Sequence, residues 1–203
     1  MAKILIYGFE KFDKLENNPS AEVGKMIYDS IKKKKGVEAR LEIFGVSYDF
    51  KFNLEKAIKE FKPDFILGLG ASKRNRVSVE KIALNVIHEN KPDNKGVVLM
   101  HKEIGGKDVG LKTGFDCEKL VNYLVDKNIP CELSYFAGTY ICNNAYFNCL
   151  KFIKDDFLKT ETVFIHVPLS PNEINKLNAD APSFPPHLIA DALAAFLESY
   201  KKQ

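Results

Sequence analysis

Short apolar runs alternate with segments of helical spacing along most of the chain. Asn18-Pro19 marks one helix start, because Asn suits an N-cap and Pro the first helical position. A continuous apolar run after Pro63 is typical of a strand buried on both faces. The first third therefore predicts the order β-α-β-α-β: strand 3–7, helix from Asn18-Pro19 to about Lys34, strand 38–46, helix 50–61 and strand 64–69.

The remainder of the chain repeats this alternation after one irregular stretch. Residues 77–87 alternate as a strand, and the segment from there to Gly114 is rich in glycine and lacks periodicity, so we expect irregular structure or a short hairpin. Ser183 suits the N-cap of a last helix with Pro185 and Pro186 in its first turn. The predicted elements are helix 115–127, strand 131–136, helix from Cys142 to about Phe157, strand 162–167, and a final helix to about Tyr200.

Strands that alternate with helices through short connections predict an α/β protein. The sheet should be twisted, mostly parallel and covered by helices on both faces. At 203 residues and 45% hydrophobic content, the chain is long enough for one compact domain with a sizeable core and short for two. We therefore expect a single domain over residues 1–203.

The charge pattern argues against two classes of partner. Net charge is only +3, and acidic and basic residues are interspersed, so nucleic acid and anionic membranes are not expected partners. The run of four lysines at 32–35 is interpreted as a solvated helix end. No apolar stretch approaches the roughly 20 residues that span a bilayer, and the chain starts directly with a strand pattern. These features predict a cytoplasmic protein.

Four cysteines are present, and their spacing favours free thiols. Without a secretory signal they do not form a disulfide framework, and they show neither a Cys-x-x-Cys pair nor the histidine spacing of a zinc site. We therefore expect no metal site. The four are Cys117, Cys131, Cys142 and Cys149.

Three residues suggest nucleophilic chemistry. Cys142 follows a Gly-Thr turn and opens a helix, where unpaired N–H groups favour a thiolate and a developing oxyanion. His166 lies near the carboxyl end of an apolar strand, where catalytic groups of open α/β sheets collect. Glu80 shares strand parity with apolar residues and therefore needs a partner. An imidazole that accepts the thiol proton and a carboxylate that orients it would make a cysteine hydrolase.

Alternatives exist for each of these residues and for the whole chain. Cys142 can also be a small buried hydrophobe, and His166 a satisfied core histidine. The stretch from Gly68 to Arg74 could cradle a phosphate, which would favour a small-molecule binding protein or an enzyme of nucleoside or phosphate chemistry, although it matches neither common phosphate-loop pattern. The other three histidines are expected at the surface: His88, His101 and His187.

Several blocks of the sequence resemble the pyroglutamyl peptidase I family, cysteine peptidases that remove an N-terminal pyroglutamate. The resemblance runs from Lys3 to the last helix, and the order and spacing of the blocks make it specific. The matching blocks are Gly8-Phe-Glu-Lys-Phe12 with Asn18-Pro-Ser, Val77-Ser-Val-Glu80-Lys-Ile-Ala-Leu-Asn-Val, Pro92-Asp-Asn94, Ala137-Gly-Thr-Tyr-Ile-Cys142-Asn, and Phe164-Ile-His-Val-Pro168 with Pro171.

The resemblance implies a three-layer α/β/α sandwich with no metal or organic cofactor, commonly assembled as a homotetramer. It implies a catalytic triad of Cys142, His166 and Glu80 that acts on peptides with an N-terminal pyroglutamate through an acyl-enzyme. It also implies residues that bind the substrate: Phe9 and Phe12 as ring-packing aromatics, Asn18, and the pair Tyr140 and Ile141 before the nucleophile.

This chain departs from the family pattern in three places. Asp13 and Lys14 replace two glycines, and the loop from Gly68 to Arg74 is one residue longer. Asn90 stands where the family has an arginine near the catalytic cysteine, and Lys91 replaces an apolar pocket residue. We expect oxyanion support from Asn90 or Arg74. The departures leave two alternatives, a divergent homologue acting on another small amide and a non-catalytic binding protein of the same fold.

Overall fold

The computed structural model describes residues 1–199. Its strands are β1 (Ala2–Phe9), β2 (Val37–Phe44), β3 (Phe65–Ser72), β4 (Val77–Glu80), β5 (Ile82–Leu84), β6 (Ile87–Glu89), β7 (Leu99–Lys102), β8 (Gly110–Lys112), β9 (Cys131–Ser134) and β10 (Glu161–Pro168). Its α-helices are α1 (Pro19–Ile31), α2 (Lys51–Phe61), α3 (Cys117–Asp126), α4 (Ile141–Asp155), α5 (Pro171–Leu177) and α6 (Pro186–Glu198), and a 3-10 turn, Tyr48–Phe50, precedes α2.

Six strands form the central sheet in the order β2-β1-β3-β10-β4-β9. The first four run parallel to one another. Strand β4 is antiparallel to β10, and β9 is parallel to β4, so the last two strands run in the opposite direction. The prediction of a mostly parallel sheet is confirmed.

Helices cover both faces of the sheet because each face buries its own apolar cluster. One cluster joins the sheet to α1, α3 and α6, and the other joins it to α2 and α4. The three-layer α/β/α arrangement is therefore confirmed. None of the helices in residues 1–199 has the length and apolar character needed to cross a membrane.

Helix α1 begins as the sequence predicts and ends earlier. The side-chain Oδ1 of Asn18 accepts a hydrogen bond from the backbone N–H of Ser20 at 3.0 Å, and Pro19 takes the first helical position. The helix ends at Ile31, not near Lys34, and the four lysines at 32–35 are exposed beyond its end. The interpretation of this run as solvated is confirmed.

The alternating segment 77–87 is not one strand. Only β4 stays in the central sheet, while β5 pairs with β8, and β6 pairs with β7 as a short hairpin. The side chain of Asn143 on α4 explains part of this, since it bonds the backbone of Leu84 and the carbonyl of Val86. These bonds hold the chain against the helix in place of a continued sheet ladder.

The last helix, the helix before it and the stretch after Gly68 also differ from the sequence predictions. The last helix begins at Pro186, because Ser183 forms a β-bridge with Leu169 instead of capping the helix. Its predicted end near Tyr200 lies outside the described residues. Helix α5 was not predicted. Gly68 to Ser72 belong to β3, and only Lys73 and Arg74 of the predicted loop lie beyond it, so the interpretation as a phosphate-binding loop is wrong.

Candidate active site

The register of β10 and β4 brings His166 beside Glu80. His166 faces Ser78 across the antiparallel pair, and Phe164 faces Glu80, so His166 and Glu80 are diagonal neighbours on one face. Nδ1 of His166 lies 2.8 Å from Oε1 of Glu80, and both side chains are buried. A carboxylate at Nδ1 leaves Nε2 as the ring nitrogen that faces away from Glu80.

Cys142 completes the group from the first turn of α4. Helix α4 starts at Ile141, and its N-cap residue, Tyr140, makes no side-chain capping hydrogen bond, so the first N–H groups of the helix are available beside the thiol. Gly70 pairs with His166 in the sheet, and a Cβ built on Gly70 would lie only 2.8 Å from Sγ of Cys142. The thiol therefore packs directly on the strand next to His166.

The two neighbours of His166 raise its pKa. Burial disfavours the charged ring, but the charge of Cys142 and a hydrogen bond with it, followed by Glu80, outweigh that effect and raise the pKa of His166 to about 9. The charged form of the ring is thus favoured between Cys142 and the carboxylate of Glu80. This arrangement can hold the proton that the thiol gives up.

Glu80 stays ionised although it is fully buried. Burial raises its pKa, but the hydrogen bond with His166 and the charges of His166 and Arg74 lower it below the ordinary value. Nη1 of Arg74 donates to Oε1 of Glu80 at 2.6 Å, and Nη2 donates to the carbonyl of Phe136 at 2.7 Å. The same carboxylate oxygen therefore accepts from the ring and from the guanidinium.

These contacts correct the two expectations of oxyanion support. Arg74 is engaged with Glu80 and with the carbonyl of Phe136, and it does not line the cavity at Cys142, so it is a partner of Glu80 instead. Asn90 is exposed and follows the end of β6. It does not line the cavity that the described residues form at Cys142. Its neighbour Lys91 does line that cavity. The replacement of the family's arginine therefore leaves an amide outside the site.

A cavity of about 400 Å³ opens in front of Cys142. Its wall is largely apolar, and Phe12 and Tyr140 face each other with ring centroids 5.5 Å apart. A mostly apolar slot with few polar groups is typical of small-ligand sites. The five residues predicted to bind substrate all line it: Phe9, Phe12, Asn18, Tyr140 and Ile141.

The polar atoms of Asn18 are already engaged. Its Nδ2 donates to the carbonyl of Glu10 at 2.8 Å, and its Oδ1 accepts from the N–H and the hydroxyl of Ser20. Asn18 thus shapes the cavity wall by fixing the loop between β1 and α1, and its amide is not free to contact a ligand without breaking these bonds.

Sequence reasoning missed two residues of this site. Gly70 was assigned to a loop, and its lack of a side chain makes room for the thiol. Glu173 is buried and accepts from the backbone N–H groups of Glu16 and Asn17, each at 3.1 Å, so it holds the cavity loop against α5. The pattern Ser170-x-x-Glu173 after an apolar strand is a helix-start signal that could have revealed α5.

The other three thiols lie in surroundings that disfavour a thiolate. All four cysteines are free. Burial raises the pKa of Cys117 to about 11, and it raises the pKa values of Cys131 and Cys149 to about 12.

Within residues 1–199, no group of three or more His, Cys, Asp or Glu side chains is arranged to hold a metal ion.

Known proteins with similar sequences share one activity in their names. A pyrrolidone-carboxylate peptidase of Thermosipho africanus is 32% identical over 206 residues, which cover 99% of this chain and 98% of that protein. A protein of the same name from Finegoldia magna is 32% identical over 176 residues, which cover 85% of this chain and 81% of that protein.

Solved structures and the family model agree with these relatives. The pyrrolidone carboxyl peptidase of Fervidobacterium islandicum superposes with a TM-score of 0.90 at 27% identity, covering 98% of this chain and 97% of that one. Pyroglutamyl peptidase I of Bacillus amyloliquefaciens gives 0.88 at 28%, covering 96% and 94%. The family described as pyroglutamyl peptidase matches residues 2–203. The chain therefore belongs to the pyroglutamyl peptidase family and is a cysteine hydrolase similar to pyroglutamyl peptidase I.

Proposed function

We propose that this hydrolase removes an N-terminal pyroglutamyl residue from peptides, with Cys142 as nucleophile, His166 as general base and acid, and Glu80 as the group that orients His166. The observation that carries the proposal is that Glu80 is hydrogen-bonded to His166 while the thiol of Cys142 packs on the strand beside His166 and lines an apolar cavity. The names of the relatives and the family match support the choice of substrate.

The reaction follows from the chemistry of the three groups. The thiol proton passes to His166, and the Cys142 thiolate attacks the carbonyl carbon that joins the lactam ring to the next residue. The negative charge that develops on that oxygen is met by N–H groups at the start of α4. His166 then gives its proton to the leaving amine as the C–N bond breaks. Water, activated by the ring, hydrolyses the thioester and releases pyroglutamate.

The cavity suits a neutral lactam better than a charged amino acid. Phe12 and Tyr140 offer flat apolar surface for a five-membered ring, and Phe9 also lines the cavity wall. Phe9 is almost fully buried and packs edge-on against Tyr7 and Phe50, so its ring is held in one position. A rigid slot of this kind lowers the entropic cost of binding a small ring.

A second candidate keeps the thiol chemistry and changes the substrate. Lys91 lies in the cavity wall, with Nζ 4.4 Å from the ring centroid of Phe12. A cation in that position favours a different small amide, one whose negatively charged group lies near the Phe12 ring when it is bound. The third sequence-based alternative, a phosphate or nucleoside enzyme, has no support left, because Gly68 to Ser72 of its one motif form a strand.

A substrate series tests the proposal directly. The protein is assayed under reducing conditions with aminomethylcoumarin amides of pyroglutamate, proline and glutamine, which differ in the ring carbonyl and in ring closure. We expect release of the fluorophore from the pyroglutamyl amide and rates at least 100-fold lower for the other two. Equal rates for all three amides would contradict the choice of pyroglutamate as substrate, and hydrolysis of none of them would contradict the whole proposal.

A further inference from the structure

Four charged side chains line the same cavity as the apolar slot. They form what we call the lysine rim: Asp13, Lys14, Lys73 and Lys91. A neutral lactam ring gains no ion pair from a positively charged wall. Its binding needs only the apolar surface and a few hydrogen bonds. The rim is therefore better explained by a group that extends from the ring, and in a pyroglutamyl peptide that group is the residue on the leaving side.

One ion pair is built into the rim. Nζ of Lys91 lies 2.7 Å from Oδ2 of Asp13, and both side chains are nearly half exposed. The hydrogen bond with Lys91 lowers the pKa of Asp13, and the charges of Lys14 and Lys73 lower it further. Lys14 and Lys73 are therefore near enough to act on the carboxylate that Lys91 binds.

The remaining two lysines carry charge that is not compensated locally. Among residues 1–199, neither Lys14 nor Lys73 takes part in an ion pair, and Lys73 follows directly after β3. With Asp13 neutralising one lysine, the rim carries two more positive than negative charges. Cations close to a cleft attract anionic groups most strongly at low ionic strength.

We propose that the lysine rim selects pyroglutamyl substrates that carry a carboxylate close to the scissile amide on its leaving side. The carboxylate belongs either to an acidic residue directly after the lactam or to the C-terminus of a dipeptide. The inference rests on the proposed function and adds a specificity to it. Because the lysines are partly solvated, the expected preference is modest, about fivefold in kcat/KM.

Four peptides separate the two sources of the carboxylate. Pyroglutamyl-Glu-amide is compared with pyroglutamyl-Gln-amide for the side chain, and pyroglutamyl-Ala is compared with pyroglutamyl-Ala-amide for the terminus. Release of free pyroglutamate is measured by mass spectrometry at low salt and again at about tenfold higher salt. The charged member of at least one pair is expected to be cleaved faster, and the advantage is expected to shrink with salt.

Three variants assign the preference to the rim. The double change Lys14→Gln with Lys73→Gln is expected to bring the charged-to-neutral ratio close to one. Asp13→Asn is expected to raise the ratio about twofold, because it frees Lys91. Asp13 has a φ of 58°, a region that Asn adopts readily, so the loop should keep its shape. Lys119→Gln on α3, in the opposite helix layer, is the matched control and should leave the ratio unchanged.

The ratios make the two proposals separable. Cleavage of the neutral amides supports the proposed function whatever the ratio is. Ratios near one in both pairs would overturn the lysine rim alone, as would a preference that the Lys14→Gln and Lys73→Gln double variant retains. Hydrolysis of none of the four peptides would overturn both proposals.

Discussion

His166 Nδ1 and Glu80 Oε1 lie 2.8 Å apart although 86 residues separate them in the chain. The antiparallel pairing of β10 with β4 produces this contact, and Arg74 adds a second donor to the same oxygen at 2.6 Å. The carboxylate therefore fixes both the orientation and the tautomer of the ring. Under the proposed mechanism this leaves Nε2 free to take the proton of Cys142.

Glu80→Gln should abolish most of the activity while the fold survives. The new amide can donate to Nδ1, which would favour the tautomer with its proton on Nε2, and that tautomer cannot accept from a thiol. We expect kcat/KM to fall by about three orders of magnitude with little change in KM. Glu132→Gln on the neighbouring strand β9 is the matched control. Near wild-type activity of Glu80→Gln would remove Glu80 from the mechanism.

Arg74→Met should destabilise the protein in a manner that depends on pH. The pKa of Glu80 is below its ordinary value, so the carboxylate stabilises the folded state at neutral pH, and this contribution is lost as the pH falls through its folded pKa. Without Arg74 we expect a loss of about 2 kcal/mol near pH 7. Urea unfolding should show that the difference from wild type shrinks toward about pH 3. A constant difference across that range would contradict the pairing.

His166 should contribute stability that is lost at alkaline pH. Its pKa is raised to about 9, so the contribution is complete below the unfolded pKa of about 6.5 and declines as the pH rises through 9. Cys142→Ala removes the largest of the interactions that raise this pKa. The melting temperature of the wild type should therefore fall more steeply with pH over that window than the melting temperature of Cys142→Ala. Parallel curves would argue against coupling between the thiol and the ring.

Gly70→Ala tests the space that the thiol requires. The added Cβ would lie 2.8 Å from Sγ of Cys142 and 2.9 Å from the ring of Phe164, both closer than real contacts allow. We expect a stability loss of about 1–3 kcal/mol and a fall in kcat of about 100-fold. Gly114→Ala is the control, because a Cβ there meets no atom within 4 Å. A variant at Gly70 with full activity would show that the thiol can move freely.

Local chemistry explains which parts of the fold the sequence predicts correctly. The Asn18-Pro19 cap, the continuous apolar strands and the helix that opens at Cys142 depend on neighbours in sequence. The position of Gly70 depends on Phe164 and Cys142, which approach from other elements, so a glycine-rich strand resembled a loop. Ser183 suited an N-cap locally, but its bridge to Leu169 decides where the last helix begins.

In the candidate site, too, features that depend on neighbours in sequence are predictable, and contacts from distant elements are not. Burial of Glu80 could be inferred from strand parity, and its need for a partner followed from the cost of a buried charge. The sequence alone does not indicate that Arg74 is one of those partners, because the contact is made by a turn that folds back over β4 and β9.

The homotetramer and the cytoplasmic location implied above stay predictions, and light scattering of the purified protein would test the first.

The measurement that tests the account most directly is hydrolysis of pyroglutamyl-aminomethylcoumarin by wild type, Cys142→Ala and Cys131→Ala under reducing conditions. Cys131 is the control thiol, since burial raises its pKa to about 12 and it lies on β9, away from the cavity. We predict hydrolysis by wild type and by Cys131→Ala, and no activity above background for a folded Cys142→Ala. Retained turnover in Cys142→Ala would contradict the assignment of Cys142 as the nucleophile.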